Sequence, residues 1–327
     1  MKICFLDNTK FEYSYKDVHS PILRGAENIL INITQHLTKM GHDITVYNNC
    51  DISTHKEKSN WFNINHINNN SNLVFDFAIS NGDAKLLNKV KAKKNIVFSY
   101  SLQSIEKFIR KKQLFAYLKH KPHYILIGKY HKKNRSKLIS LFGTSILDLA
   151  VDDIFLNTKL SNDINLNQAI FTSRADRNSA LLIKMWKEKI FPNYKNGKLL
   201  ITPNNNKDFE YNISERKMKS QNHLIKDLLN SRIFLVPGHK AELFCLAAEE
   251  ARELCIPIVT MGIGSLYERV IHKKTGFIAK NEDEFAHYTI ELFKNNELWY
   301  KIRSNLLKLR GSYNWSNASN NLLKIIT

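Results

Sequence analysis

Short apolar runs rich in branched residues alternate with longer amphipathic stretches along most of the chain. This is the pattern of strands buried on both faces and joined by helices. Its clearest instance starts at Ile233–Val236, an apolar run stopped by Pro237 and Gly238. A helix is predicted from near Glu242 to about Leu254, because Leu246, Ala247, Ala251 and Leu254 fall at helical spacing. Pro257 follows, and Ile258–Met261 reads as the next strand. Strand, helix and strand make a parallel βαβ unit. Ligands of such sheets sit beyond the carboxyl ends of the strands, here His239–Glu242 and Gly262–Ser265.

The amino-terminal part repeats the theme. Lys2–Leu6 is a strand, and Arg24-Gly25-Ala26-Glu27 opens a helix whose apolar face is Ala26, Ile29, Leu30, Ile33, Leu37 and Met40. Gly41-His42 ends it, and Ile44–Tyr47 returns as a strand. Residues 51–72 are polar and Asn-rich, so mostly loop or weak edge structure is expected. Leu73–Ile79, Asn95–Tyr100, Tyr124–Gly128 and Ile146–Val151 read as strands, with a short basic helix between the first two. Leu102–Lys119 reads as one amphipathic helix with Ile105, Phe108, Ile109, Phe115 and Leu118 on one side. That apolar side is expected to pack on its own domain. Leu156–Asn167 is a polar connector.

Beyond it, Ala169–Ser173 and Lys198–Thr202 are strands flanking a helix over Ser179–Phe191. Pro203–Ser220 reads as an elaborated loop, and Gln221–Leu229 as a helix. Helices over Glu282–Lys294, Glu297–Leu309 and Trp315–Ile326 close the chain. The expected organisation is two α/β domains, 1–155 and 165–310, with the terminal helix (315–327) packing back on the first.

The 327 residues suffice for two such cores. No apolar run approaches the ~20 residues of a membrane span. Met1–Asn8 enters a strand directly, without the apolar core of a signal peptide. Cys4, Cys50, Cys245 and Cys255 are scattered, which points to reduced thiols in a cytoplasm rather than a zinc site or disulfide framework. The net charge of +19 is concentrated. From Lys85 to Lys137 there are 16 Lys or Arg against the single acid Glu106. Such a segment implies an anionic partner: a membrane surface, nucleic acid or an acidic polysaccharide. Lys107, Arg110, Lys111 and Lys112 load the polar side of the amphipathic helix, as in membrane-surface helices.

Two carboxylates carry candidate chemistry. Glu242 lies at the strand-to-helix loop, and Glu250 follows eight residues on, roughly on the same side of a helix. Free N–H groups at a helix N-terminus suit phosphate, and carboxylates accept hydrogen bonds from sugar hydroxyls. Together these suit a nucleotide sugar. Glu249 and Glu253 read as solvated carboxylates of the same helix.

The ordered set resembles the donor site of retaining GT-B glycosyltransferases of family 4. Those enzymes carry Glu-x7-Glu after a Pro-ending strand, a Pro-Val-Val strand, a glycine loop with a downstream Glu, and a Thr-Gly or Asn-Gly turn. This chain has Glu242 and Glu250, Pro257-Ile258-Val259, Gly262-Ile263-Gly264 with Glu268, and Thr275-Gly276-Phe277. Ser173-Arg174-Ala175-Asp176-Arg177 resembles the Gly-Arg and following Lys that hold the donor diphosphate, with Arg177 in place of the Lys. Arg24-Gly25-Ala26-Glu27 resembles the Gly-Gly-Ala-Glu opening, with Gly25 retained; Val151-Asp152 and Tyr313-Asn314-Trp315 match later landmarks.

The resemblance implies a GT-B fold, two Rossmann-like domains facing a central cleft. It implies that Arg174, Arg177 and the amides around Phe244, Cys245 and Leu246 bind diphosphate, that Glu250 binds ribose hydroxyls, and that Gly25 approaches phosphate or sugar. Glu242 is the catalytic-site carboxylate that binds and orients the donor sugar. No cofactor and no metal are implied. Where many members carry a His, this chain has Ser99-Tyr100-Ser101; Tyr100 and Ser101 are assigned to the acceptor side, with Lys107, Arg110, Lys111 and Lys112 as an anionic-surface contact. The expected enzyme is cytoplasmic, with peripheral contact at the inner membrane face. Its acceptor is expected to be a lipid-linked sugar, lipopolysaccharide or cell-surface glycan. The alternatives are an inverting transferase, a transferase acting on modified DNA, a nucleotide-sugar epimerase, and a nucleic-acid-binding module. A dehydrogenase is disfavoured, because Gly262-Ile263-Gly264 lacks the third glycine of the dinucleotide fingerprint.

Overall fold

The structure is a computed structural model, and it describes all residues except 19, 21–22, 24, 52–54, 57–58, 68–72, 161–165, 205–209 and 218. Arg24 therefore lies outside the described residues, as do parts of the polar stretches 51–72 and 203–220 and of the connector. The chain divides into two compact units, Met1–Leu149 with Trp315–Thr327, and Ala150–Asn314.

In the first unit β1 (Lys2–Leu6) leads to α1 (Gly25–Lys39) and β2 (Asp43–Asn48). Then come β3 (His55–Lys56), β4 (Ser59–Asn63), β5 (Val74–Asn81) and β6 (Lys91–Phe98). The unit continues with α2 (Ile105–Arg110), α3 (Leu114–His120), β7 (His123–Leu126), α4 (Lys129–Asn134) and β8 (Thr144–Ile146). The sheet order is β3-β4-β2-β1-β5-β6-β7-β8, parallel apart from the antiparallel β3–β4 pair. The polar stretch after β2 thus supplies an edge, with β4 pinned by the fully buried Trp61.

The second unit holds α5 (Asp153–Leu156), β9 (Gln168–Phe171), α6 (Ser179–Met185), β10 (Lys198–Ile201), β11 (Ile213–Glu215) and α7 (Gln221–Leu229). It continues through β12 (Ile233–Gly238), α8 (Leu246–Glu253), β13 (Ile258–Ile263), α9 (Leu266–Arg269), β14 (Gly276–Ile278), α10 (Glu282–Lys294) and α11 (Asn296–Leu309). Its sheet is parallel throughout, in the order β11-β10-β9-β12-β13-β14. The last helix, α12 (Trp315–Ile326), groups with the first unit and packs on α1.

Several boundaries differ from the sequence reading. The helix expected to start near Glu242 starts at Leu246, because Cys245 takes a left-handed backbone (φ 61°) and the residues before it form a hydrogen-bonded loop. The single helix expected over Leu102–Lys119 is broken into α2 and α3 at Lys112, which is also left-handed (φ 54°). Its apolar side does not pack on its own domain: Ile105, Ile109, Phe115 and Leu118 are exposed, and only Phe108 of that set is buried. The basic segment between β5 and β6 is a 3₁₀ turn, Ala84–Lys89. Beyond α6 the helix widens into a π turn, Trp186–Ile190. The elaborated loop after β10 contains β11.

Candidate functional site

Three neighbouring strands of the second unit, β9, β12 and β13, end side by side, so the loops leaving them converge. Loop 172–178 leaves β9 with Arg174 and Arg177, loop 239–245 leaves β12 with Glu242, and Gly264 follows β13. The glycine is required where it stands. Its backbone is left-handed (φ +75°), and a Cβ there would lie 2.3 Å from the His239 carbonyl oxygen and 2.8 Å from that of Glu242. The β13 loop is thus seated directly on the β12 loop, and Ser265 donates its N–H to the Glu242 carbonyl at 3.0 Å. Glu242 donates its own N–H to the His239 carbonyl at 2.9 Å, which closes the turn that presents its side chain.

Arg177 crosses from the β9 loop to this turn. Its Nε stands 3.6 Å from Glu242 Oε2, both side chains being largely but not fully covered. Its Nη1 lies 3.2 Å from His239 Nδ1, which also accepts the Ala241 N–H at 3.0 Å. With two donors at Nδ1, the imidazole proton belongs on Nε2. Burial raises the pKa of Glu242 above the ordinary carboxylate range, opposed chiefly by Arg177 and then by the Cys245 N–H, Arg174 and His239. Arg174 is exposed and pairs with Asp176 at 2.8 Å.

The N-terminus of α8 faces the same loops. No side chain caps it, and Cys245, at the cap position, packs its sulfur 4.0 Å from Ser173 Oγ of the β9 loop. Phe244 is buried beneath the Arg269 guanidinium, 4.4 Å above its ring. Glu249 and Glu253 are not the solvated carboxylates the sequence suggested. Glu249 bridges Arg252 (2.6 Å) and Arg269 (3.0 Å), while Glu253 accepts from Arg252 (3.1 Å) and the Gly311 N–H (2.8 Å). Both are buried, so these ion pairs fix the helix in place.

Glu250 has a different setting. It is half-buried, and burial pushes its carboxyl up to about 8, with Arg216 opposing and Asp152 adding to the rise. Arg216 follows β11 and pairs with Asp227 at 3.2 Å. The sequence reading placed His239 in a ligand-facing loop without giving it a role, and it did not single out Arg216 or Asn178. Asn178, left-handed at the head of α6, donates to the Gly238 carbonyl and ties the β9 loop to the end of β12. Short polar loops give such residues no periodicity by which to be found. Gly25, Tyr100, Ser101 and the basic residues 107–112 belong to the first unit. Gly25 begins α1 with open space around its Cα, so the local backbone does not itself demand glycine. Among the described residues no cluster of three or more His, Cys, Asp or Glu is arranged to hold a metal ion.

Residues 192–308 match the family model described as glycosyl transferases group 1. Solved structures similar to the chain over nearly its whole length are GT-B glycosyltransferases. The chain has a GT-B fold, and its match to the group 1 family model is confined to the second unit. Among these structures is HepE of Anabaena in complex with UDP and glucose, at 14% identity and TM-score 0.71, covering 100% of this chain and 99% of that one. Another is WaaG, a glycosyltransferase involved in lipopolysaccharide biosynthesis, at 10% identity and TM-score 0.69, covering 99% of each chain. The sucrose-phosphate synthase of Thermosynechococcus elongatus is similar at 12% identity and TM-score 0.68, covering 99% and 98%. No curated protein sequence matches the chain. The matched family region includes the β12 and β13 loops and α8 of the GT-B second unit, while Arg174 and Arg177 precede it.

Proposed function

We propose that the chain transfers a sugar, with retention, from a nucleoside diphosphate sugar to a lipid-linked sugar or lipopolysaccharide-type glycan. The observation that carries this reading is the Arg177–Glu242 pair, held by Gly264 beside the uncapped N-terminus of α8. A cation, a free helix N-terminus and a carboxylate within one loop cluster match a diphosphate joined to a polyhydroxyl ring. Uridine is the favoured base, since a similar structure is a complex with UDP-glucose.

In this reading Arg174 and Arg177, with the amides around Phe244, Cys245 and Leu246, hold the diphosphate. Glu250 accepts from the ribose hydroxyls, and Glu242 from the donor sugar. The bond from the sugar C1 to the β-phosphate oxygen breaks, and the leaving diphosphate takes its electron pair. The acceptor oxygen bonds to C1 from the same face and passes its proton to the leaving phosphate. Glu242 orients the ring and is not a nucleophile. The arginines and N–H dipoles oppose the charge that grows on the diphosphate, the interaction that lowers the barrier. Gly25, Tyr100 and Ser101 are assigned to donor and acceptor contacts by the family resemblance.

Arginine charge at the leaving group does the work for which other transferases use a bound cation. Activity is therefore expected to survive a chelator such as EDTA, measured as nucleoside diphosphate release; loss restored by magnesium would count against this assignment. The stereochemistry is tested by NMR of the sugar first released when water replaces the acceptor. Retention predicts the α-anomer from an α-linked donor, and the β-anomer would overturn it.

A further inference from the structure

Four apolar side chains that the sequence pattern assigns to a buried face stand in solvent instead. On α2, Ile105 is 51% and Ile109 55% exposed; on α3, Phe115 is 77% and Leu118 47% exposed. Spacings of four and three residues place each pair on one face of its helix. The break at Lys112 explains why they face out. Each half now buries a single aromatic, Phe108 on α2 and Tyr117 on α3, and the two rings meet edge-on at 5.3 Å. Tyr117 also donates its hydroxyl to the Leu138 carbonyl at 2.6 Å and packs on Phe142. These anchors fix both helices to the unit and leave the aliphatic pairs with no place in its core. Leu141, on the turn that follows Leu138, is exposed too, at 62%.

Scattered exposed apolar residues are ordinary on a protein surface, but a run of them interleaved with one sign of charge is not. Arg110, Lys111, Lys112 and Lys119 are exposed among these pairs, and Lys107 is half-buried beside them. Burial lowers the pKa of Lys107, and the neighbouring Lys111 and Arg110 add to the fall. Glu106 is the sole acid from Lys85 to Lys137; Lys85 and Lys93 pair with Asp83 and Asp76 outside that segment, and the excess of charge that remains around α2 and α3 favours an anionic partner.

We propose that α2, the Lys112 turn and α3 form a membrane-docking element. It seats Ile105, Ile109, Phe115 and Leu118 at the acyl boundary of an anionic bilayer, while the interleaved Arg and Lys meet headgroup phosphates. Long basic side chains can lie along apolar surface and keep their charges at the headgroups. Duplex DNA would satisfy the charges but gives no reason for the aliphatic pairs to be outward. Binding by this element does not depend on the donor site, although its purpose rests on the lipid-linked acceptor proposed above.

The test uses the full chain with vesicles of phosphatidylcholine, with or without phosphatidylglycerol, and with duplex DNA as competitor. Wild type should sediment with the anionic vesicles and not with the neutral ones. Ile109→Ser with Phe115→Ser should weaken binding at least tenfold at physiological salt, and Arg110→Glu with Lys111→Glu should abolish it. In Phe115→Trp, the added emission should shift to the blue on anionic vesicles, against a background of four native tryptophans that are all buried. Thermal stabilisation by UDP should be unchanged in every variant, which separates lost docking from lost folding; if UDP stabilises none of them, wild type included, the donor reading fails while the docking result stands. Absence of vesicle binding, binding unaffected by the two Ser substitutions, or tighter binding to DNA than to anionic vesicles would each overturn the proposal.

Discussion

Glu242 and Glu250 are eight residues apart and meet different electrostatic neighbours. Glu242 faces Arg177 across two loops, so removal of that guanidinium strips its chief opposing cation. If Arg177 also meets the diphosphate, Arg177→Ala should lower kcat by about 10²–10³, the usual loss for one charge-stabilising donor. Arg177→Lys should recover part of it, and steady-state nucleotide release measures both. Glu250 has its carboxyl raised from 4.5 to about 8 by burial. A carboxyl raised on folding contributes stability that is fully present below its unfolded value and is lost as pH rises through its folded value. The apo protein should therefore lose stability between about pH 4.5 and 8, and Glu250→Gln should flatten that part of the profile in thermal melts. Ribose hydroxyls are best accepted by the ionised form, so nucleotide affinity should tighten as pH rises towards 8, and the Gln variant should lose that dependence along with most of its affinity.

The element that matters most is the β12 loop, and it is held by the β13 loop rather than by a helix. Gly264→Ala introduces a Cβ against two carbonyl oxygens in a left-handed backbone. A strained residue of this kind costs on the order of 1–3 kcal/mol. Chemical denaturation should show a loss of that size, together with weaker nucleotide binding; a fully stable, fully active variant would show that the loops do not depend on this contact. The same loop shows what the sequence could reveal. Strands β12 and β13 and the body of α8 were legible from apolar runs and helical spacing. The start of α8 was not, because a left-handed Cys245 leaves no trace in periodicity. Motif order singled out Glu242, Glu250 and Arg177 as candidates, and the structure brings Arg177 to Glu242; the Arg216 and His239 contacts depend on loops that pattern does not encode. Burial of Glu249 and Glu253 was hidden for a related reason: their partners Arg269 and Gly311 come from other elements.

On the scale of the whole molecule, two sheets, parallel but for the β3–β4 pair, form two compact units, and the chain's last helix belongs with its first unit. The alternation of apolar runs and amphipathic stretches encodes that architecture directly. Charge is a second layer of organisation: Lys and Arg divide almost evenly between the units, but the first has 11 Asp or Glu against 19 in the second, so most of the net positive charge lies in the first, while the loops proposed to hold phosphate lie in the second. Among the described residues no helix is long and apolar enough to cross a membrane.

The central claim is that the converging β9, β12 and β13 loops bind a nucleoside diphosphate. The most direct measurement is thermal unfolding of the full chain with UDP, GDP or ADP. A ligand held only by the native state, at a hundredfold excess over its Kd, adds about 2.7 kcal/mol of stability. The account predicts a clear rise in Tm with one diphosphate, UDP first, that disappears in Arg177→Ala and Glu250→Gln. No rise with any of the three, or an equal rise in both variants, would contradict it.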